Sequence, residues 1–167
     1  RAIPALASLL LDPPDGGLRR NALLLNDCGC PATAVLPDLI CHLRLFHKDR
    51  RALAALGLEI AGVAALPALL GLLGNADADV RAWSTHALAA IGYLDTECQR
   101  SVTRNLSDPD RSIRRLSAVA LHAAAPVDPQ TIGALRQALH DSDSDVRIAA
   151  PRTLGLLADD SVAVVGD

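Results

Sequence analysis

Aspartate at alternate positions is the first pattern in this chain that could do chemistry. It occurs in Asn75-Ala-Asp-Ala-Asp79, Asp108-Pro-Asp110 and Asp141-Ser-Asp-Ser-Asp145. Oxygen ligands at every second residue are how a calcium loop begins, but such a loop also needs Gly at its sixth position and a bidentate Glu at its twelfth. Counted from Asp141 those positions hold Val146 and Arg152; counted from Asn75 they hold Val80 and His86. Calcium fails on both, and the acids read as turn and helix-capping residues. Asp and Ser side chains accept hydrogen bonds from the unpaired amides of a first helical turn, and Asp also complements the positive end of the helix dipole.

The other reactive residue types are no better placed. Cys28 and Cys30 are followed by the adjacent pair Cys41-His42, whereas a structural zinc site presents two pairs of ligands two to four residues apart. Neighbouring residues on a helix point about 100° apart, which is awkward for one ion. No metal and no cofactor is expected. The spacing also makes no disulfide framework, so a reducing cytoplasm is the expected setting. Glu59 and Glu97 are too scattered for paired acid–base work, and no Gly-rich phosphate loop or nucleophile elbow occurs. No catalytic residue is nominated, and the chain is read as a non-enzyme.

The elements that would position any site are foreshadowed by composition. Of 167 residues half are hydrophobic but only 2% aromatic, and 30 Ala with 30 Leu must build the core. Both residues lead the helix-propensity ranking. Asp accounts for 17 of the 19 acids, which suits caps better than helix interiors. The net charge of −3 gives no polyanion-binding signature. Arg44, Lys48, Arg50 and Arg51 cluster, as do Arg100, Arg104, Arg111, Arg114 and Arg115. Single-strand binding would add aromatic platforms, so these read as solvated faces and nucleic acid is a minor alternative. No apolar run is read as reaching the roughly 20 residues of a membrane span.

Internal repetition decides the fold expectation. The three Asp-rich segments end in Val-Arg or Ile-Arg, with Arg81, Arg114 and Arg147 spaced 33 apart. Pro4, Pro37 and Pro67 open helices at steps of 33 and 30, and Arg19, Arg51 and Arg81 follow at steps of 32 and 30. Each unit reads as two helices. Leu66, Leu69, Leu70 and Leu73 lie on one face of a first helix. An acidic turn follows, and a second helix starts at a capping residue (Asp79, Ser112 or Asp145) and carries Val80, Ser84, Ala87, Leu88 and Ile91 to Gly92. Helix pairs this short leave apolar flanks on both sides and become stable only by stacking.

The pattern Leu-Pro-x-Leu-x-x-Leu-Leu, then Asp-x-Asp-x-x-Val-Arg, then Ala-Leu-x-x-Ile-Gly resembles the HEAT-repeat family. It is closest to the short HEAT-like repeats of bacterial phycobilisome-lyase-type proteins. The resemblance implies an all-α, α-α superhelix of about five helix pairs, at about 3–27, 33–61, 63–92, 95–124 and 128–158, with a partial helix over 160–167. Departures are Gly16-Gly17 in the first turn, His122-Ala-Ala-Ala125 in place of Gly, and Pro151, which should kink the last helix. Both ends read as cut, so a fragment of a longer array, or self-association through uncapped ends, is expected. The iron-binding His-Glu pairs of a related helical-repeat hydroxylase are missing, because the five histidines are followed by Leu43, Lys48, Ala87, Ala123 and Asp141.

The resemblance further implies that second helices line a concave wall. That wall would carry Arg20, Asn21 and Leu24; Ala52, Leu53 and Leu56; Ala82, Trp83 and His86; Arg115, Leu116 and Val119; and Ile148, Ala149 and Arg152. It also implies a structural ladder in which Arg81, Arg114 and Arg147 pair with turn acids among Asp77, Asp110 and Asp143. The function expected is a non-catalytic protein-binding scaffold, with Trp83 and the wall arginines as anchors. A bilin-lyase-like chromophore-handling protein is the alternative, since that family shares the repeat.

Overall fold

A computed structural model describes residues 36–45, 48–124 and 127–163. The expected first helix pair at 3–27, with Arg20, Asn21, Leu24, Cys28 and Cys30, lies outside them. The helices are α1 (Leu36–Leu45), α2 (Lys48–Ala61), α3 (Leu66–Leu72), α4 (Ala78–Ile91), α5 (Thr96–Asn105), α6 (Arg111–Ala120), α7 (Pro129–Ala138) and α8 (Ser144–Ala163). Short 3-10 segments, Gly62–Ala65 and Leu121–Ala123, follow α2 and α6. The chain divides into two compact units, Arg1–Ala87 and Leu88–Asp167. The fold is an all-α helical repeat.

Within Leu88–Asp167 the stacking logic is explicit. α5 packs on α6 and α7, and α8 packs on α6 and α7, so first helices lie against first and second against second. Val102, Ile113, Leu121, Leu135, Val146 and Ala150 are each fully buried there. Side-chain bonds tie successive layers, among them the hydroxyls of Thr103 and Thr131, which meet at 2.9 Å, and Thr153 Oγ1, which donates to the Ala118 carbonyl at 2.7 Å. The linkers entering α5 and α7 pair at Leu94 and Ala124 in a single parallel bridge.

In the unit Arg1–Ala87, α1 packs on α2. Their approach is close enough that a Cβ on Gly57 would stand 2.7 Å from Leu39 Cδ2. Here one expectation is corrected. Ala54–Leu72 is a 19-residue stretch with mean hydropathy 1.9, long and apolar enough by composition to cross a membrane. It is three helical segments rather than one: Gly62 adopts φ +59, a left-handed conformation that breaks the α-helix at little cost only for glycine. The run buries Ala54, Ala55, Leu58, Ala65, Leu66 and Leu69 within the protein.

The C-terminal end also differs from expectation. α8 continues without a break from Ser144 to Ala163, so no turn separates 158 from 160 and no new helix opens there. Pro151 sits inside α8, exposed. Its missing N–H leaves one carbonyl of the preceding turn without its helical donor, which the solvent-facing position lets water satisfy.

Candidate peptide-binding groove

The acidic turns build themselves by a two-step relay. The first residue of each makes a side-chain turn: Asn75 Oδ1 accepts from the Asp77 amide at 2.9 Å, Asp108 Oδ1 from Asp110 at 2.8 Å, and Asp141 Oδ1 from Asp143 at 2.8 Å. The third residue then caps the second helix. Asp77 accepts from the Asp79 amide at 2.9 Å, Asp110 from Ser112 at 2.7 Å, and Asp143 from Asp145 at 2.9 Å. The caps are therefore Asp77, Asp110 and Asp143, two residues before the expected Asp79, Ser112 and Asp145. The reason is geometric: a capping side chain reaches the second or third amide of the helix, so it must precede the first helical residue.

That shift also rearranges the ladder. Each repeated Arg turns back on the carbonyls of its own turn. Arg81 Nη1 donates to the Asn75 and Ala76 carbonyls at 2.7 and 3.1 Å, Arg114 Nη1 to Asp108 and Pro109 at 2.9 and 3.2 Å, and Arg147 Nη1 to Asp141 and Ser142 at 2.8 and 2.9 Å. Arg114 then forks onto Asp141 of the next turn, Nε to Oδ2 at 2.8 Å and Nη2 to Oδ1 at 2.9 Å, not onto Asp110 or Asp143 as expected. Asp77 takes Arg51 at 2.6 Å, and Asp143 takes Arg111 at 3.4 Å. The Arg114 guanidinium holds the Asp141 carboxyl below its ordinary value, and Arg51 does the same to Asp77. These groups organise turns, and all are committed to partners.

A groove of about 490 Å³ opens between α6 and α8. It brings together Arg115, Val119, Ile148, Ala149 and Arg152, five of the residues nominated for the wall. Helical spacing explains the meeting: 115 and 119, like 148 and 152, are four apart and share a helix face. Val119 is 39% exposed, Ile148 52% and Leu156 53%, an apolar strip flanked by two guanidinium groups. Neither Arg115 nor Arg152 forms a hydrogen bond or ion pair with the described residues. Ala149 is buried and forms floor, while Leu116 is half-buried and does not line the groove.

His122, Asp145, Thr153 and Leu156 also line the groove and were not nominated. The signal was available for two of them, because His122 lies seven residues after Arg115 and Leu156 eight after Ile148, about two turns along the same faces. His122 Nδ1 lies 2.6 Å from the Val119 carbonyl; a carbonyl can only accept, so Nδ1 carries the proton.

In the unit Arg1–Ala87, half-buried Trp83 and exposed His86 stack edge-to-face, with centroids 5.7 Å apart and planes at 65°. Ala82 and Leu56 are half-buried, as is Ala52, and the side chain of Leu53 lies outside the described residues. Cys98 is buried and its thiol is pushed up to about 12, first by desolvation and then by Asp95, so it is inert as a nucleophile at neutral pH.

Two solved structures share this fold. One is the crystal structure of an engineered protein from a structural genomics consortium, with TM-score 0.55, 21% identity, and coverage of 94% of this chain and 79% of that one. The other is a designed armadillo repeat protein in complex with the peptide (KR)4, with TM-score 0.52, 13% identity, and coverage of 94% of this chain and all of that one. No curated protein sequence matches the chain. The family model for HEAT repeats matches residues 100–165, the span that holds most of α5, all of α6 and α7, and α8. Residues 100–165 are thus HEAT repeats, in a chain with the fold of helical-repeat proteins.

Proposed function

We propose that the chain is a non-catalytic protein-binding scaffold that holds a segment of its partner in the groove between α6 and α8. The observation that carries this is the exposed strip of Val119, Ile148 and Leu156 between two uncommitted arginines. Contiguous exposed apolar surface marks partner sites more often than chance placement does, and arginine is enriched among binding hot spots. The designed armadillo protein of similar fold holds a peptide, which supports the capacity of such a fold for this task. Trp83 and His86 offer a second anchor in the other unit.

A cytoplasmic location belongs to the same reading. Its support is the spacing of Cys28, Cys30, Cys41 and Cys98, which makes no disulfide framework.

The test is affinity capture of partners by the purified chain, repeated with Ile148→Asp and with Trp83→Ala. Ile148→Asp should abolish capture while leaving the melting temperature within a degree or two, because Ile148 is half exposed. Capture unchanged by both variants would refute the reading. Visible absorbance on mixing with bilins would favour chromophore handling instead, and salt-dependent retention on DNA would favour nucleic acid.

A further inference from the structure

We infer that the groove between α6 and α8 selects an extended peptide segment bearing carboxylates and aliphatic side chains, and rejects basic ones. This rests on the scaffold reading above and adds the chemistry of the occupant.

The groove carries two cations, Arg115 and Arg152, against one carboxylate, Asp145. The neighbouring arginines on the same helices are already committed: Arg111 to Asp143, Arg114 to Asp141, and Arg147 to backbone carbonyls. Asp145 lies in the first turn of α8, where the helix dipole offsets part of its negative charge. The uncommitted guanidinium groups are planar forks that match a carboxylate bidentately. The chain as a whole carries −3, so its global field repels an acidic segment, and any acidic preference must come from these two residues.

Lining positions 145 to 156 on α8 span about 16 Å at 1.5 Å per residue. An extended strand rising about 3.3 Å per residue fits some five residues into that length. Alternate side chains of such a strand face the same way, so aliphatic groups can cover Val119, Ile148 and Leu156 while carboxylates reach the arginines at either side. A basic segment of the (KR)4 kind would set its charges against Arg115 and Arg152.

The experiment is selection from a random heptapeptide display library by the purified chain and, in parallel, by the double variant Arg115→Glu/Arg152→Glu. The wild-type pool should be enriched several-fold in Asp and Glu together with Leu, Ile or Val, and the variant pool should lose or invert the acidic bias. A fluorescently labelled peptide from the wild-type pool should bind the variant at least tenfold more weakly, with the variant's circular dichroism and melting unchanged. Enrichment without acidic bias, or a bias that survives the charge reversal, overturns the inference and leaves the scaffold reading standing. No enrichment with either protein overturns both. Concentration-dependent dimerisation in sedimentation, abolished by Ile148→Asp, would give the groove to a second copy of the chain and also overturn the inference. So would displacement of the peptide by a labelled single-stranded oligonucleotide.

Discussion

At the residue scale the acidic turn divides labour between positions that look alike in sequence. The first residue makes a turn and the third caps a helix, while the arginine from the preceding repeat falls on the first residue at Asp141 and on the third at Asp77 and Asp143. Substitutions at the two positions should therefore differ in kind. Asp110→Ala removes only a cap and is expected to cost about 1 kcal/mol, while Asp110→Asn costs a few tenths; thermal or denaturant melts distinguish them. Asp141→Asn keeps the side-chain turn, since Asn75 makes the same bond at the equivalent position, but removes the charge and turns one of the two oxygens that accept from Arg114 into an NH2 donor. Its expected cost at neutral pH is about 1–2 kcal/mol. The sign of its pH dependence follows from Arg114, which lowers the Asp141 carboxyl below 3.8. A carboxyl that holds its proton less tightly when folded contributes stability above the unfolded value, and that contribution fades as pH falls through the folded one. The gap between wild type and Asp141→Asn should thus begin to close as pH falls below about 4; a gap that does not narrow at all on acidification would rule out the charge pair as its source.

At the scale of elements, two residues that ordinarily break helices have opposite standing. Gly92 ends α4 with φ +68, where any Cβ is strained although nothing crowds it. Gly92→Ala should cost about 1–2 kcal/mol through backbone conformation alone. Pro151 interrupts the hydrogen-bond ladder of a helix that continues past it. Pro151→Ala restores the amide donor and is expected to stabilise the chain by about 1–3 kcal/mol, read as a higher melting temperature. A lower one would mean the fold depends on proline at this position. Helix identity and the stop at Gly92 were legible from residue type, because each is a local preference, while the caps were expected two residues too late. The continuation of α8 through 158–160 was not. Asp159 and Asp160 resemble the acids that open other units, but no Asp-x-Asp pair follows to build the turn.

At the scale of the whole molecule, stability is a sum over neighbouring layers. Leu135 is fully buried in α7, and Leu135→Ala should cost about 2–5 kcal/mol. Because contacts run between successive helices, the loss should be local: amide hydrogen exchange should speed up in α5–α8 and stay unchanged in α1 and α2. Uniform acceleration along the chain would show instead that the two units unfold as one. Function at this scale depends on which exposed faces align. The groove needs α6 beside α8, an arrangement set by layer stacking rather than by either helix alone.

By itself the sequence determined that the chain is helical, where the acidic turns lie and which arginine recurs, because propensity, capping and periodicity act within a few residues of one another. Its family resemblance also nominated Arg115, Val119, Ile148 and Arg152, through register alone. Only the tertiary structure decided that Arg114 forks onto Asp141, and that among the described residues Arg115 and Arg152 keep no partner while Arg51 and Arg114 do. Those outcomes depend on distances between residues roughly 30 apart in the chain, which packing fixes and local pattern does not.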